Sequence, residues 1–221
     1  MRALVIAIVS FATLDIPGCV ECKNPICLPD DPDLVFDEKL LGEFEPVDRH
    51  PNQTRGFFRV ERKAPESRVY RLTLHTFPST KKADDAAESV KEPGDPLECG
   101  ILKLGDYRIL VTFGLTKKRP DDLAWGLMLI EHTEPNLQLR LLNPEYFEAN
   151  PKDLPFSRRK AVFDMVDVVT LESSAEQLRL FLRAHAHKPS LWTAPIRWKR
   201  RDADQAPQTP VPHRSDSAPD G

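Results

Sequence analysis

The chain has 221 residues, 40% of them hydrophobic and 29% charged, with a formal net charge of −3. That balance supports a buried core and argues against a disordered chain or a strongly basic nucleic-acid binder. Its 21 prolines against 9 glycines point to rigid loops and extended segments, and so few glycines argue against phosphate-cradling loops.

The chain opens with one early cation, Arg2, followed by the twelve uncharged residues Ala3 to Leu14 and then Asp15. A membrane-spanning helix needs about 20 apolar residues, whereas about 7 to 15 suits a cleavable signal peptide. Residues 1–18 are therefore expected to be a signal peptide, the alternative being a buried strand or helix. The run ends in Ile16-Pro17-Gly18-Cys19, which resembles a lipobox, the aliphatic-x-small-Cys sequence of bacterial lipoproteins. The resemblance implies that Cys19 carries a diacylglycerol thioether and becomes the N-terminus. It also implies export to the bacterial cell envelope, with the membrane as a partner through the N-terminal lipid.

Residues 19–39 are rich in Pro, Asp and Cys and lack periodicity, so they are expected to form a tether. They carry Cys22 and Cys27, which with Cys99 are candidates for a disulfide in an oxidising compartment; the odd number leaves the pairing open. Cys19-x-x-Cys22 is half of a zinc motif without a second half, so neither metal nor cofactor is expected.

A single domain is expected over residues 40–201. Gly56 to Arg62, Arg68 to Phe77 and Leu137 to Leu142 alternate as strands, with Tyr70, Leu72 and Leu74 on one face. Gly105-Asp106 joins Leu97–Leu104 to Tyr107–Phe113 as a hairpin. Its register pairs Leu104 with Tyr107, Leu102 with Ile109 and Gly100 with Val111 on one face, and Ile101 with Leu110 and Cys99 with Thr112 on the other. Both faces are partly apolar, so a second layer should cover the outer one.

Further strands are expected at Leu123 to Glu131 and Val166 to Leu171. Asn143-Pro144-Glu145 predicts a short helix, with Asn as cap and Pro in the first turn. Capping boxes at Ser173-x-x-Glu176 and Ser174-x-x-Gln177 open a longer helix, with Leu178, Phe181, Leu182 and His185 at helical spacing and Pro189 beyond its end. The expected fold is mainly β (α+β): a curled antiparallel sheet or small β-barrel of about eight or nine strands, with this C-terminal helix packed on it. Residues 202–221, rich in Pro and poor in aliphatics, are expected to be a disordered tail.

Charge is uneven, with eight acids in residues 30–50 and eleven Lys or Arg in residues 152–201. The cations are spread over several elements, with tight clusters only at Arg158-Arg159-Lys160 and Lys199-Arg200-Arg201, so a solvated face is favoured and no nucleic-acid partner is expected. Catalytic signatures are missing: the chain contains neither G-x-S-x-G nor H-E-x-x-H, and His185-x-His187 on a helix would point about 200° apart. Adjacent acids such as Asp84-Asp85 and Asp121-Asp122 read as solvated loop residues.

The stretch Asp37-Glu38-Lys39-Leu40-Leu41-Gly42-Glu43-Phe44 is similar to the D-x-x-L-x-G-x-[WF] opening of small bacterial lipoproteins and lipocalin-like domains. Leu171 to Leu182 is similar to a segment recurring in uncharacterised members of that group. These resemblances imply a barrel whose first strand starts at the Leu and the aromatic, with Gly permitting a sharp bend, and imply no activity. The favoured reading is a non-catalytic envelope lipoprotein that binds a protein partner or is structural, with a filled core. The alternative is a lipocalin-like carrier of an apolar ligand, its pocket lined by Tyr70, Leu72, Trp125 and Leu127, with a volume of a few hundred cubic ångströms. A hydrolase with an unrecognised site is the third reading.

Overall fold

The structure is a computed structural model and describes residues 19–47, 56–76, 96–113, 126–161 and 166–201. In chain order its elements are β1 (Cys19–Cys22), β2 (Leu34–Val35), β3 (Gly42–Pro46), β4 (Gly56–Arg62), β5 (Val69–Thr76), β6 (Leu97–Leu104) and β7 (Tyr107–Phe113). They continue with β8 (Leu127–His132), β9 (Asn136–Leu141), α1 (Pro144–Ala149), β10 (Phe156–Ala161), β11 (Val166–Leu171), α2 (Ala175–His185) and β12 (Ile196–Arg200).

Strands β3 to β9 follow one another as antiparallel neighbours, and β12 completes the ring by pairing with both β9 and β3. The result is a closed eight-stranded antiparallel barrel, which hides the backbone edges that an open sheet would leave. One edge of β6 is divided: β5 pairs with its first half, Val69 opposite Gly100, and β2 adds to its second, Leu34 opposite Leu102. The hairpin register is the expected one, from Leu104 opposite Tyr107 to Cys99 opposite Thr112, with Gly105 at φ 64° in the turn.

Period-two alternation divides the apolar side chains between two cores. Phe44, Phe58, Tyr70, Leu72, Leu110, Met128, Leu139 and Trp198 face into the barrel. Leu102, Leu104, Ile109, Val111, Leu127 and Leu129 face outward, beneath a second layer. That layer consists of a three-stranded sheet, β1-β11-β10, together with α1 and α2, whose Phe147, Leu178, Phe181 and Leu182 complete the outer core. The expected covering of the second hairpin face is therefore present, by a sheet and two helices.

Both helices start at their expected caps. Asn143 accepts from Glu145 N ahead of α1, and Ser174 and Gln177 form a reciprocal capping box on α2. Ser173, the other expected start, is instead buried one residue earlier.

Residues 19–39 are not a tether, which corrects the domain boundary expected at Leu40. β1 pairs in parallel with β11, Cys19 opposite Val168 through Cys22 opposite Leu171, and Lys23 N donates to Leu171 O at 2.9 Å. Cys22, Ile26, Cys27 and Leu34 are buried in the outer core. The acidic composition is accommodated by Arg179 of α2, which donates to Asp31, to Asp33 Oδ2 at 3.0 Å and to Ile26 O at 3.0 Å. A few apolar residues at irregular spacing, with one cation 146 residues away, fold a segment that composition alone describes as a spacer.

The start of the barrel has the geometry its glycine permits. Asp37 caps a short 3-10 turn, Glu38–Leu40, by accepting from Lys39 N at 3.0 Å, and Leu40 and Phe44 are buried. Between them Gly42 sits at φ 127°, a conformation that side chains other than glycine rarely adopt. Arg200 of β12 lies over the Phe44 ring, 4.9 Å from its centroid, and donates to Lys39 O at 2.7 Å and to Leu41 O. The first and last barrel strands are thus fastened by one guanidinium as well as by their ladder.

Residues 1–18 and 202–221, expected as signal peptide and tail, lie outside the described residues, as do Leu123 to Trp125.

Candidate functional site

The inside of the barrel is the first place to look for a ligand. Leu40, Phe58, Val60, Leu72, Leu97, Cys99, Leu110, Thr112, Met128, Leu137 and Leu139 surround a cavity of about 20 Å³. The Thr112 hydroxyl is engaged, accepting from Gly126 N at 2.8 Å. Such a space holds about one water at most and offers it no converging polar partners. Pockets for small organic ligands run from about 300 to 1,000 Å³.

One end of this interior is plugged. Tyr70, fully buried, accepts from Asp37 N at 2.6 Å and donates to Asp37 O at 3.2 Å. Phe36 stacks on Tyr70 at 5.2 Å, and Arg62 lies over Phe36 at 3.9 Å. Arg108 pairs with Asp37 at 2.6 Å, and Lys39 with Glu134 at 2.9 Å. Burial pushes the Tyr70 hydroxyl up to about 12, with the hydrogen bond to Asp37 opposing. It stays protonated and acts as a wedge tied to the 3-10 turn. The strand ends that lead into the β3–β4, β5–β6 and β7–β8 connections lie at the opposite end, and the connections themselves fall largely outside the described residues.

A larger space lies on the outside of the barrel. Residues from the β6–β7 turn, β7, β8, β9 and the segment after α2 border an open groove of about 450 Å³. Tyr107, Leu129, Pro189 and Trp192 supply its apolar surface, and Asp106, Glu131, Arg140 and His187 its polar groups. The floor is held rigid: Arg140 donates to Glu131 at 2.7 Å and to Thr193 O at 3.2 Å, and Trp192 Nε1 donates to Ala186 O at 2.8 Å. This combination of fixed aromatics and a partly exposed ion pair suits recognition rather than bond breaking.

Of the pocket residues expected from sequence, Tyr70 and Leu72 are together inside the barrel. Leu127 is not: alternation along β8 turns Met128 and Ile130 inward, so Leu127 packs in the outer core, which corrects that assignment. Trp125 lies outside the described residues. The groove residues carry no local signature, because they come from four stretches of chain that only the fold unites.

Cys22, Cys27 and Cys99 are buried thiols. Cys99 lies in the barrel core and the other two in the outer core, so Cys99 is removed from any pairing with them. Burial pushes the Cys99 thiol up to about 12. It does the same for Cys27, with Asp31 adding and Arg179 opposing. Neither is an activated nucleophile. The unfolded chain ionises these thiols first, so they favour unfolding once the pH exceeds their ordinary 9.0. Urea midpoints should therefore decline as pH rises from 9 towards 12, and replacing Cys99 with alanine should flatten that decline. An unchanged slope would contradict the assignment.

His185 packs on the Phe181 ring at 4.7 Å, while His187 borders the groove, so the two do not converge. Among the described residues no three His, Cys, Asp or Glu side chains are grouped to hold a metal ion, and no helix is long and apolar enough to cross a membrane. Comparison of the chain with family models, curated proteins and solved structures gives no match.

Proposed function

We propose that this chain is a membrane-anchored envelope lipoprotein whose barrel is a non-catalytic scaffold, binding a partner on its outer surface at the Tyr107–Trp192 groove. The observation that carries the reading is the contrast between an interior cavity of about 20 Å³ and an outer groove of about 450 Å³. The lipobox-like Ile16-Pro17-Gly18-Cys19 supplies the anchor. Burial holds the Cys27 and Cys99 thiols protonated, so neither of these two acts as a nucleophile.

The test is mass spectrometry on protein purified from native membranes, combined with analysis of its organic extract. The expected result is an acylated Cys19 as N-terminus and an extract free of stoichiometric apolar molecules. An unprocessed Met1 would overturn the lipoprotein reading.

A lipocalin-like carrier is the second reading, supported by the closed eight-stranded barrel with one plugged end and by Gly42, Phe44 and Arg200 at its start. It requires the interior to open by displacing side chains such as Met128. A bound apolar molecule at one per chain would favour it over the surface-binding reading.

A further inference from the structure

We infer that the Tyr107–Trp192 groove is a polyproline-II site and that its resident occupant is the chain's own C-terminal segment, Pro207 to Arg214. The inference deepens the reading of this groove as the partner-binding surface and rests on it. The segment reads P-Q-T-P-V-P-H-R. A polyproline-II helix repeats every three residues, so Pro207 and Pro210 lie on one edge of it. It makes no internal hydrogen bonds, which leaves its carbonyls free to accept. Being preformed, it docks on aromatic-lined grooves at little cost in ordering entropy.

The groove, made of described residues alone, offers what such a helix needs. Trp192 is fixed by its Nε1 bond to Ala186 O at 2.8 Å, and the exposed Pro189 and half-buried Tyr107 complete the apolar surface. Among the described residues the Tyr107 hydroxyl has no hydrogen-bond partner, so it can donate to a peptide carbonyl. Charge agrees locally. Arg140 offsets Glu131 and leaves Asp106 as the unpaired carboxylate, while Arg214 is the only Arg, Lys, Asp or Glu of the segment. The acids Asp202, Asp204, Asp216 and Asp220 fall outside the segment on either side.

Reach agrees as well. Arg197, Gln138 and His132 form one row across β12, β9 and β8. Arg201 lies four residues beyond that row, and Glu131 lies one residue before it on a strand of the same direction. At about 4.8 Å between strands and about 3.3 Å per residue, Arg201 and Glu131 are roughly 20 Å apart. The chain from Arg201 to Pro210 extends to about 30 Å, so the segment arrives without being taut. So short a connection gives an effective concentration in the millimolar range, and a segment that binds as a free peptide at about 0.1 mM then fills about nine-tenths of the groove. An external partner has to displace it.

The test uses the full chain produced in bacterial cells, with the photoreactive residue p-benzoylphenylalanine replacing the exposed His187 at the groove. Irradiation and mass spectrometry of the digest should find position 187 joined to residues 207–214 of the same chain. The yield should fall about threefold or more in P207S/P210S/P212S, and about tenfold when the free 207–214 peptide is added at about 10 mM. A scrambled peptide should leave it unchanged. A link to the segment that ignores both the serine variant and the peptide overturns the inference, because tethering alone then explains it. Links to other molecules only, with the segment unlinked, overturn the inference and leave the partner-binding reading standing. No link of either kind overturns both.

Discussion

Replacing Trp198 with alanine should lower the unfolding free energy by about 3–5 kcal/mol, the range for removing a large buried aromatic. Trp198 is 1% exposed and meets the edge of Phe58 at 4.7 Å and 73°. It sits on β12, opposite both Leu137 of β9 and Pro46 of β3, so the cavity would open on the strand that completes the ring. Urea unfolding followed by circular dichroism measures the loss without depending on the deleted fluorophore. Trp198→Phe keeps much of the buried surface and should retain about half of the stability lost by alanine. A loss below about 1 kcal/mol would mean that the barrel core is not packed as described.

Arg179→Ala should cost about 3 kcal/mol, because it leaves groups that were bonded to a buried charge without a partner. The guanidinium is 19% exposed and bridges Asp31 and Asp33, the former 14% exposed. Lysine in its place supplies charge without the fork and should recover less than half. The loss should also be local. Amide exchange in β1 and β2 should quicken while the β6–β7 hairpin stays protected, since the clamp holds the N-terminal segment on α2 and makes no contact inside the barrel. A double-mutant cycle with Asp31→Ala isolates the pair, and a coupling near zero would refute the clamp.

How much of this was legible in the sequence depends on how far apart the partners lie. The β6–β7 hairpin, the two helix caps and the alternation of β4, β5 and β9 are written in neighbouring residues, and they appear as read. Closure of the barrel was open in the sequence, because the pairing of Phe44 with Arg200 leaves no mark on either local pattern. The folding of residues 19–39 was misread for the same reason. Its ladder partner is β11 and its counter-charge is Arg179, so the segment looks unstructured until both are in place. The barrel-facing roles of Tyr70 and Leu72 followed from their alternation, whereas Leu127 was misplaced because β8 is apolar on both faces. The groove was invisible, since Tyr107, Glu131, Arg140 and Trp192 share no spacing.

The β1–β11 ladder also bears on the order in which the molecule can assemble. Glu21 and Thr170 are bonded partners 149 residues apart. At about 5 to 20 residues per second of synthesis, the earliest strand waits roughly 7 to 30 s for its template. Ring closure waits longer still, because Arg200 follows Thr170 and its partner Phe44 precedes nearly all of the barrel. Until β11 emerges β1 lacks its ladder partner, and until β12 emerges β3 keeps an unmet edge. A machine that threads polypeptides N-terminus first would therefore receive a pliable strand rather than a finished barrel.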